Sequence, residues 1–170
     1  MENLIRLRQL MSQRSIDGLA IVPGPNLSYL TGSEFHLSER PVVLFVRQND
    51  AVFVLPELES SKIADLDIDF ISYDDRDGPG PAFAQFSKNH KFSGLGVESR
   101  QIRHLELNLI SSYNISSDII DATDLFAELR MSKSKIEIDH MTVAVETAER
   151  SLVSVLDKMR PGVTEKQFAA

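Results

Sequence analysis

The chain is 170 residues long, 42% apolar and 25% charged, with a net charge of −7. Such a composition builds a hydrophobic core without staples, and its acidity argues against a nucleic-acid partner, which needs a basic stripe. There is no cysteine, so disulfides, thiolate metal ligands and cysteine nucleophiles are excluded.

The first residues place Glu2, Arg6 and Arg8 among apolar positions. They lack the unbroken apolar stretch of a signal peptide. No apolar run approaches the roughly 20 residues of a membrane-spanning helix. A cytoplasmic protein with no membrane partner is expected.

Leu4, Leu7, Leu10 and Met11 recur at helical spacing, so residues 2–14 are predicted as a helix, stopped by Asp17 and Gly18. Residues 19–22 are a short apolar run closed by Pro23, Gly24 and Pro25, the pattern of a buried strand. Asn26 to Leu30 is a short helix with Gly32 as its C-cap. A polar loop, Ser33 to Arg40, follows. Two apolar runs, Val42 to Val46 and Ala51 to Leu55, are parted by residues 47–50 and predict a β-hairpin. Pro56, Glu57 and Glu59 open a helix, with proline in the first turn and carboxylates at the positive end of the dipole.

Ile68 to Ile71 is a strand, and Gly78 to Pro81 a turn. Phe83 and Phe86 begin a helix that reaches His90. Leu95 and Val97 mark a strand, Ile102 to Ile110 a helix, Ile119 and Ile120 a last strand, and Leu125 to Leu129 a last short helix. Strands and helices that alternate in this way argue an α/β fold: a mixed sheet flanked by helices, followed by a long C-terminal helix.

Residues 130–134 are short, polar and basic, a linker after a domain of residues 1–129. Ile138, Met141, Val145, Ala148, Leu152, Val155 and Met159 then fall three or four apart. They predict one amphipathic helix of about 25 residues, roughly 37 Å, stopped by Pro161 and Gly162. Thr164 and Gln167 have capping-box spacing, the start of another helix. That helix has no body, and the long helix has no partner for its apolar stripe. Residues 135–170 are therefore expected to begin a second, truncated domain.

Candidate chemistry is sparse. His36, His90, His104 and His140 show no metal-ligand spacing, and on a helix His104 and Glu106 diverge. Asp65, Asp67 and Asp69 imitate the start of a calcium loop. The required glycine and glutamate positions hold Phe70 and Arg76, so the polar edge of a strand is the better reading. Gly94 and Gly96 supply two glycines of a dinucleotide fingerprint, but Ser99 stands at the third. No nucleophile elbow or phosphate loop is present.

Several segments together carry a resemblance. Asp17 to Val22 leads into Asn26-Leu27-Ser28-Tyr29-Leu30-Thr31-Gly32; Glu39-Arg40-Pro41 precedes the hairpin, and Pro56-Glu57-Leu58-Glu59 follows it. Gly96-Val97-Glu98 closes a later strand, Arg130 and Lys133-Ser134 precede Glu137-Ile138, and Pro161 to Glu165 comes last. In order and spacing the chain resembles the creatinase/prolidase family of pita-bread metallohydrolases, which includes Xaa-Pro aminopeptidases and dipeptidases. The resemblance implies a non-catalytic N-terminal domain, itself inactive, of an enzyme that hydrolyses Xaa-Pro peptides. It implies a homodimer. It also implies two divalent metals (manganese, cobalt or zinc) in a catalytic domain beyond this chain, with no metal ligand or catalytic residue here. A creatinase-type amidinohydrolase, or a stand-alone dimerisation or binding module, is the alternative.

In such dimers, loops of one N-terminal domain approach the partner's pocket. The resemblance then points to the loop Ser33 to Arg40, with His36, Glu39 and Arg40 as substrate-proximal residues. A guanidinium there suits a dipeptide's carboxylate, which it grips bidentately; pairing of Arg40 with a surface acid is the plainer alternative.

Overall fold

The computed structural model describes residues 2–156 and 159–169. Its chain divides into two units, 1–130 and 131–170.

The first unit opens with α1 (Glu2–Gln13), which buries Leu4, Leu7 and Met11 along one stripe. The helix ends within one residue of the predicted 2–14, ahead of Asp17 and Gly18. Ser15 takes a left-handed φ of 54°. The Ile16 and Ser15 amides then return to the Met11 and Ser12 carbonyls at 3.1 and 3.4 Å, a Schellman closure without glycine. Next come β1 (Gly18–Ile21) and α2 (Pro25–Thr31), which ends on Gly32 at φ 74°. The hairpin is β2 (Val43–Val46) with β3 (Ala51–Pro56), paired antiparallel as the two apolar runs predict.

Glu57–Ile63 is a 3₁₀ helix rather than an α-helix. It is followed by β4 (Asp69–Tyr73), α3 (Gly80–Asn89) and β5 (Leu95–Val97). Then come α4 (His104–Ser112), β6 (Ile119–Asp121) and α5 (Thr123–Met131). Asp69 opens β4, an edge strand, while Asp65 and Asp67 lie in the turn before it.

The six strands form one mixed sheet in the order β4-β3-β2-β1-β5-β6. β1 runs antiparallel to β2 and parallel to β5, and β3 to β4 and β5 to β6 are also parallel. The central strands are apolar throughout because both faces are covered. Leu19, Ile21, Leu44, Val46, Phe53 and Leu55 face one core, shared with α1, α2 and α5. Ala20, Val22, Val43, Phe45, Val52 and Val54 face the other, shared with α3 and α4. Phe45 stacks on Phe86 at 4.1 Å between ring centroids. Gly18 is glycine because a Cβ there would overlap the Phe92 ring.

β1 and β5 are adjacent and parallel, yet the chain leaves them toward opposite faces. After β1 it enters α2, in the first core; after β5 it enters α4, in the second. Their carboxyl ends therefore form a topological switch point, where α/β sheets open a crevice.

The second unit holds α6 (Lys135–Leu156) and the short α7 (Glu165–Ala169). Ser134 and Glu137 form a capping box, with Ser134 N donating to Glu137 Oε2 at 2.6 Å and Glu137 N to Ser134 Oγ at 3.3 Å. Thr164 and Gln167 cap α7 as their spacing predicts. The apolar stripe predicts a helix that reaches Met159; as described α6 ends at Leu156, residues 157 and 158 lie outside the described residues, and Met159 is not helical. Among the described residues no helix is long and apolar enough to cross a membrane.

Candidate functional site

The loop between α2 and β2 is held at both ends. Near its start Phe35 is buried and meets the Phe53 ring at 5.8 Å. Ser33 Oγ donates to the Lys62 carbonyl at 2.7 Å, and the Lys62 ammonium lies 5.3 Å from the Phe35 ring.

Its far end is fastened by two arginines and a tyrosine. Arg40 grips Asp75 bidentately, Nε to Oδ1 at 2.6 Å and Nη2 to Oδ2 at 2.7 Å, and donates Nη1 to Glu39 Oε1 at 2.6 Å. The hydrogen bond and charge of Asp75 raise the pKa of Arg40, and Arg40 lowers that of Asp75. Arg103 donates Nη1 to the Ser38 carbonyl at 2.6 Å. Tyr73 donates its hydroxyl to the Pro41 carbonyl at 2.8 Å, and burial pushes its pKa upward.

Arg103 itself is set by Glu106, whose side chain is fully buried. α4 starts at His104 rather than Ile102 because Arg103 is its N-cap, and Glu106 Oε2 accepts the Arg103 amide at 3.0 Å. The same carboxylate takes Arg103 Nε at 3.0 Å and also Nη2. A buried carboxylate needs this pairing, and the pairing aims the remaining guanidinium edge at the loop. His104, two residues away, points to solvent.

The structure thus brings Glu39 and Arg40 together. His36 is exposed and takes no part in this network. Asp75, Tyr73 and Arg103 carried no signal of their own in the sequence, and Glu106 was weighed there only against His104. A glutamate three residues after a helix start was the available signal for the Arg103–Glu106 pair.

A second polar cluster lies at the switch point. Asn26, on α2, is only 4% exposed and donates Nδ2 to Glu98 Oε1, just past β5. Gln101 Nε2 donates to the Pro23 carbonyl at 2.8 Å beside them.

At the opposite end of β1 and β5 is a cleft of about 580 Å³, lined by Met11, Asp17, Arg47, Lys91 and Phe92 among others. Its charges are already engaged. Ser93 donates to Asp17 through its hydroxyl and its amide and lowers its pKa. Lys91 donates to the Tyr113 carbonyl at 3.0 Å, and Arg47 lies 3.3 Å from His90 Nδ1. Among the described residues no group of three histidines or acids stands close enough to hold a metal ion. They do not fit the two-metal centre that the resemblance implies.

Residues 4–132 match the family model of the creatinase/prolidase N-terminal domain. The chain belongs to this family. A probable dipeptidase PepE of Mycobacterium bovis is 30% identical to this creatinase/prolidase N-terminal domain chain over 159 residues, 90% of this chain and 42% of that protein. An Xaa-Pro dipeptidase of Pyrococcus horikoshii is 22% identical over 176 residues, 99% of this chain and 46% of its own. The crystal structure of dipeptidase PepE from Mycobacterium ulcerans matches with a TM-score of 0.81 at 26% identity, over 99% of this chain and 46% of that one. A Creatine_N superfamily domain of a dipeptidase from Streptococcus thermophilus shares the fold, with a TM-score of 0.69 at 19% identity, over 76% of this chain and 99% of that one. The chain spans less than half the length of the curated relatives it matches.

Proposed function

We propose that this creatinase/prolidase N-terminal domain serves a prolidase-like peptidase without carrying its catalytic groups. In this reading a longer parent polypeptide hydrolyses Xaa-Pro peptides in the cytoplasm as a homodimer. Residues 1–129 are its N-terminal domain, 130–134 the linker and 135–170 the first part of the catalytic domain. The observation that carries the reading is the match over at least 90% of this chain to dipeptidases more than twice its length. The two divalent ions of such an enzyme, manganese, cobalt or zinc, are then bound by residues outside this chain.

The loop Ser33 to Arg40, with His36, Glu39 and Arg40, is proposed to border the partner subunit's pocket. Its anchoring supports that role, because a wall that positions substrate works best when pre-ordered. Arg40, engaged by Asp75 and Glu39, gives the loop its shape.

The test compares the 170-residue chain with the polypeptide read on past Ala170, each with Xaa-Pro dipeptides and manganese. Cleavage is expected from the longer polypeptide alone; cleavage by the 170-residue chain overturns the reading. In the longer polypeptide Arg40→Ala is expected to raise KM for dipeptides with little change in kcat. An unchanged KM removes the loop from the pocket.

A further inference from the structure

The Asn26–Glu98 pair leaves two atoms unaccounted for. The amide's Nδ2 donates to one carboxyl oxygen of Glu98. The amide's Oδ1 and the carboxyl's Oε2 are both buried from solvent, and neither has a hydrogen-bond partner. Both are acceptors when Glu98 is ionised. Buried polar atoms in folded proteins are nearly always paired, so a donor is missing from this site. The carboxyl group can supply it. A protonated carboxyl and a primary amide match edge to edge and form two hydrogen bonds in a ring.

We propose that Glu98 is held as a neutral acid whose Oε2–H donates to Asn26 Oδ1, closing with the Nδ2 bond a proton-dependent clasp between α2 and the end of β5. Burial is the largest influence on the Glu98 pKa and raises it. The Asn26 hydrogen bond and the charge of Arg130, on α5, act in the opposite direction. Asn26 on α2 and Gln101 in the turn after β5 are neutral. The clasp sits at the switch point, on the helix that leads directly into the loop Ser33 to Arg40, and it does not depend on what the parent polypeptide hydrolyses.

The sign follows from the raised pKa. The folded chain binds this proton more tightly than the unfolded chain. Its contribution to stability is complete below the ordinary glutamate value of 4.5 and is lost as pH rises through the folded midpoint. Above that midpoint the pair keeps one hydrogen bond and two buried acceptors without a donor. Glu98→Gln replaces the acid with an amide that can make the same ring at every pH.

The experiment is a carbon-detected NMR titration of the side-chain carboxyls in the 170-residue chain. Glu98 is expected to titrate above 4.5, and the Asn26 side-chain NH₂ signals to shift with the same midpoint. A Glu98 midpoint at or below 4.5 overturns the proposal, as does an Asn26 amide that ignores the transition. Arg130→Gln separates the rival arrangement, in which the guanidinium pairs with Glu98. That arrangement gives a wild-type midpoint below 4.5 that the substitution lifts past it; the clasp gives one above 4.5 in both proteins. Thermal melts supply a second readout. Glu98→Gln and wild type should melt together near pH 4, with the variant increasingly more stable toward pH 8. A constant difference across that range contradicts the clasp. Should the variant not fold, the wild-type titration decides alone.

Discussion

In the six-stranded unit, β1, β2 and β3 bury every residue against one of two cores, whereas α6, longer than any helix of that unit, buries none. Both regions carry regular apolar patterns. The strands of the first are covered by helices that the same stretch of chain supplies, α1, α2 and α5 on one face and α3 and α4 on the other. The stripe of α6 leaves Ile138, Met141, Val145 and Leu152 about half exposed. An amphipathic period therefore states that a surface wants covering, not what covers it. The difference also separates two settings for apolar residues: in the first unit they hold the fold, and in α6 they lie at the surface.

The comparison is tested most severely by deleting equivalent apolar bulk from each region. Phe45 is fully buried and packs against Phe83, Phe86 and Phe92. Phe45→Ala should cost about 3–5 kcal/mol in urea unfolding, from lost transfer energy and the cavity left behind. Leu152→Ala should change the same transition by about 0.5 kcal/mol or less. Equal losses would mean that α6 is stabilised as the strands are, and the contrast would fail.

The next effect lies within the first unit and concerns polar rather than apolar burial. Arg103→Met keeps the apolar stem of the side chain but leaves the Glu106 carboxylate buried without its main partner. A loss of about 2–3 kcal/mol is expected, together with faster amide exchange in residues 33–40, because the Ser38 carbonyl loses its donor. If stability falls while exchange in the loop stays the same, Arg103 serves α4 alone and does not shape the loop.

Much of the first unit was legible from its residues. Val42 to Val46 and Ala51 to Leu55 announced a hairpin because residues that face two cores leave an unbroken apolar run. Leu4, Leu7 and Met11 announced α1 because one core selects one helical stripe. Strand order was not legible: nothing local states that β1 lies between β2 and β5. The end of α1 was legible to within a residue, but not its closure, because a serine rather than a glycine takes the left-handed position. The site was less legible still. Arg40 and Asp75 are 35 residues apart, and Asn26 and Glu98 are 72 apart, so only the fold brings them together. Arg103 and Glu106 are three apart, but arginine is not a usual N-cap, and the pattern passed unseen.

The smallest expected change in stability comes from charging the stripe of α6, and it carries the most information about that helix. Val145→Lys with Leu152→Lys places two cations on residues that are already half exposed, so the unfolding of the six-stranded unit should be unaltered. Association should change instead. An uncovered apolar stripe of this length draws the wild-type chain together as concentration rises, and two ammonium groups on each copy oppose that contact through repulsion and desolvation. Sedimentation at increasing concentration should show association in the wild type and a monomer in the double variant, at equal stability. A wild-type chain that stays monomeric would show that the stripe alone does not draw copies together. Loss of stability in the variant would show that α6 shares in the fold of the first unit, which would make the two regions alike.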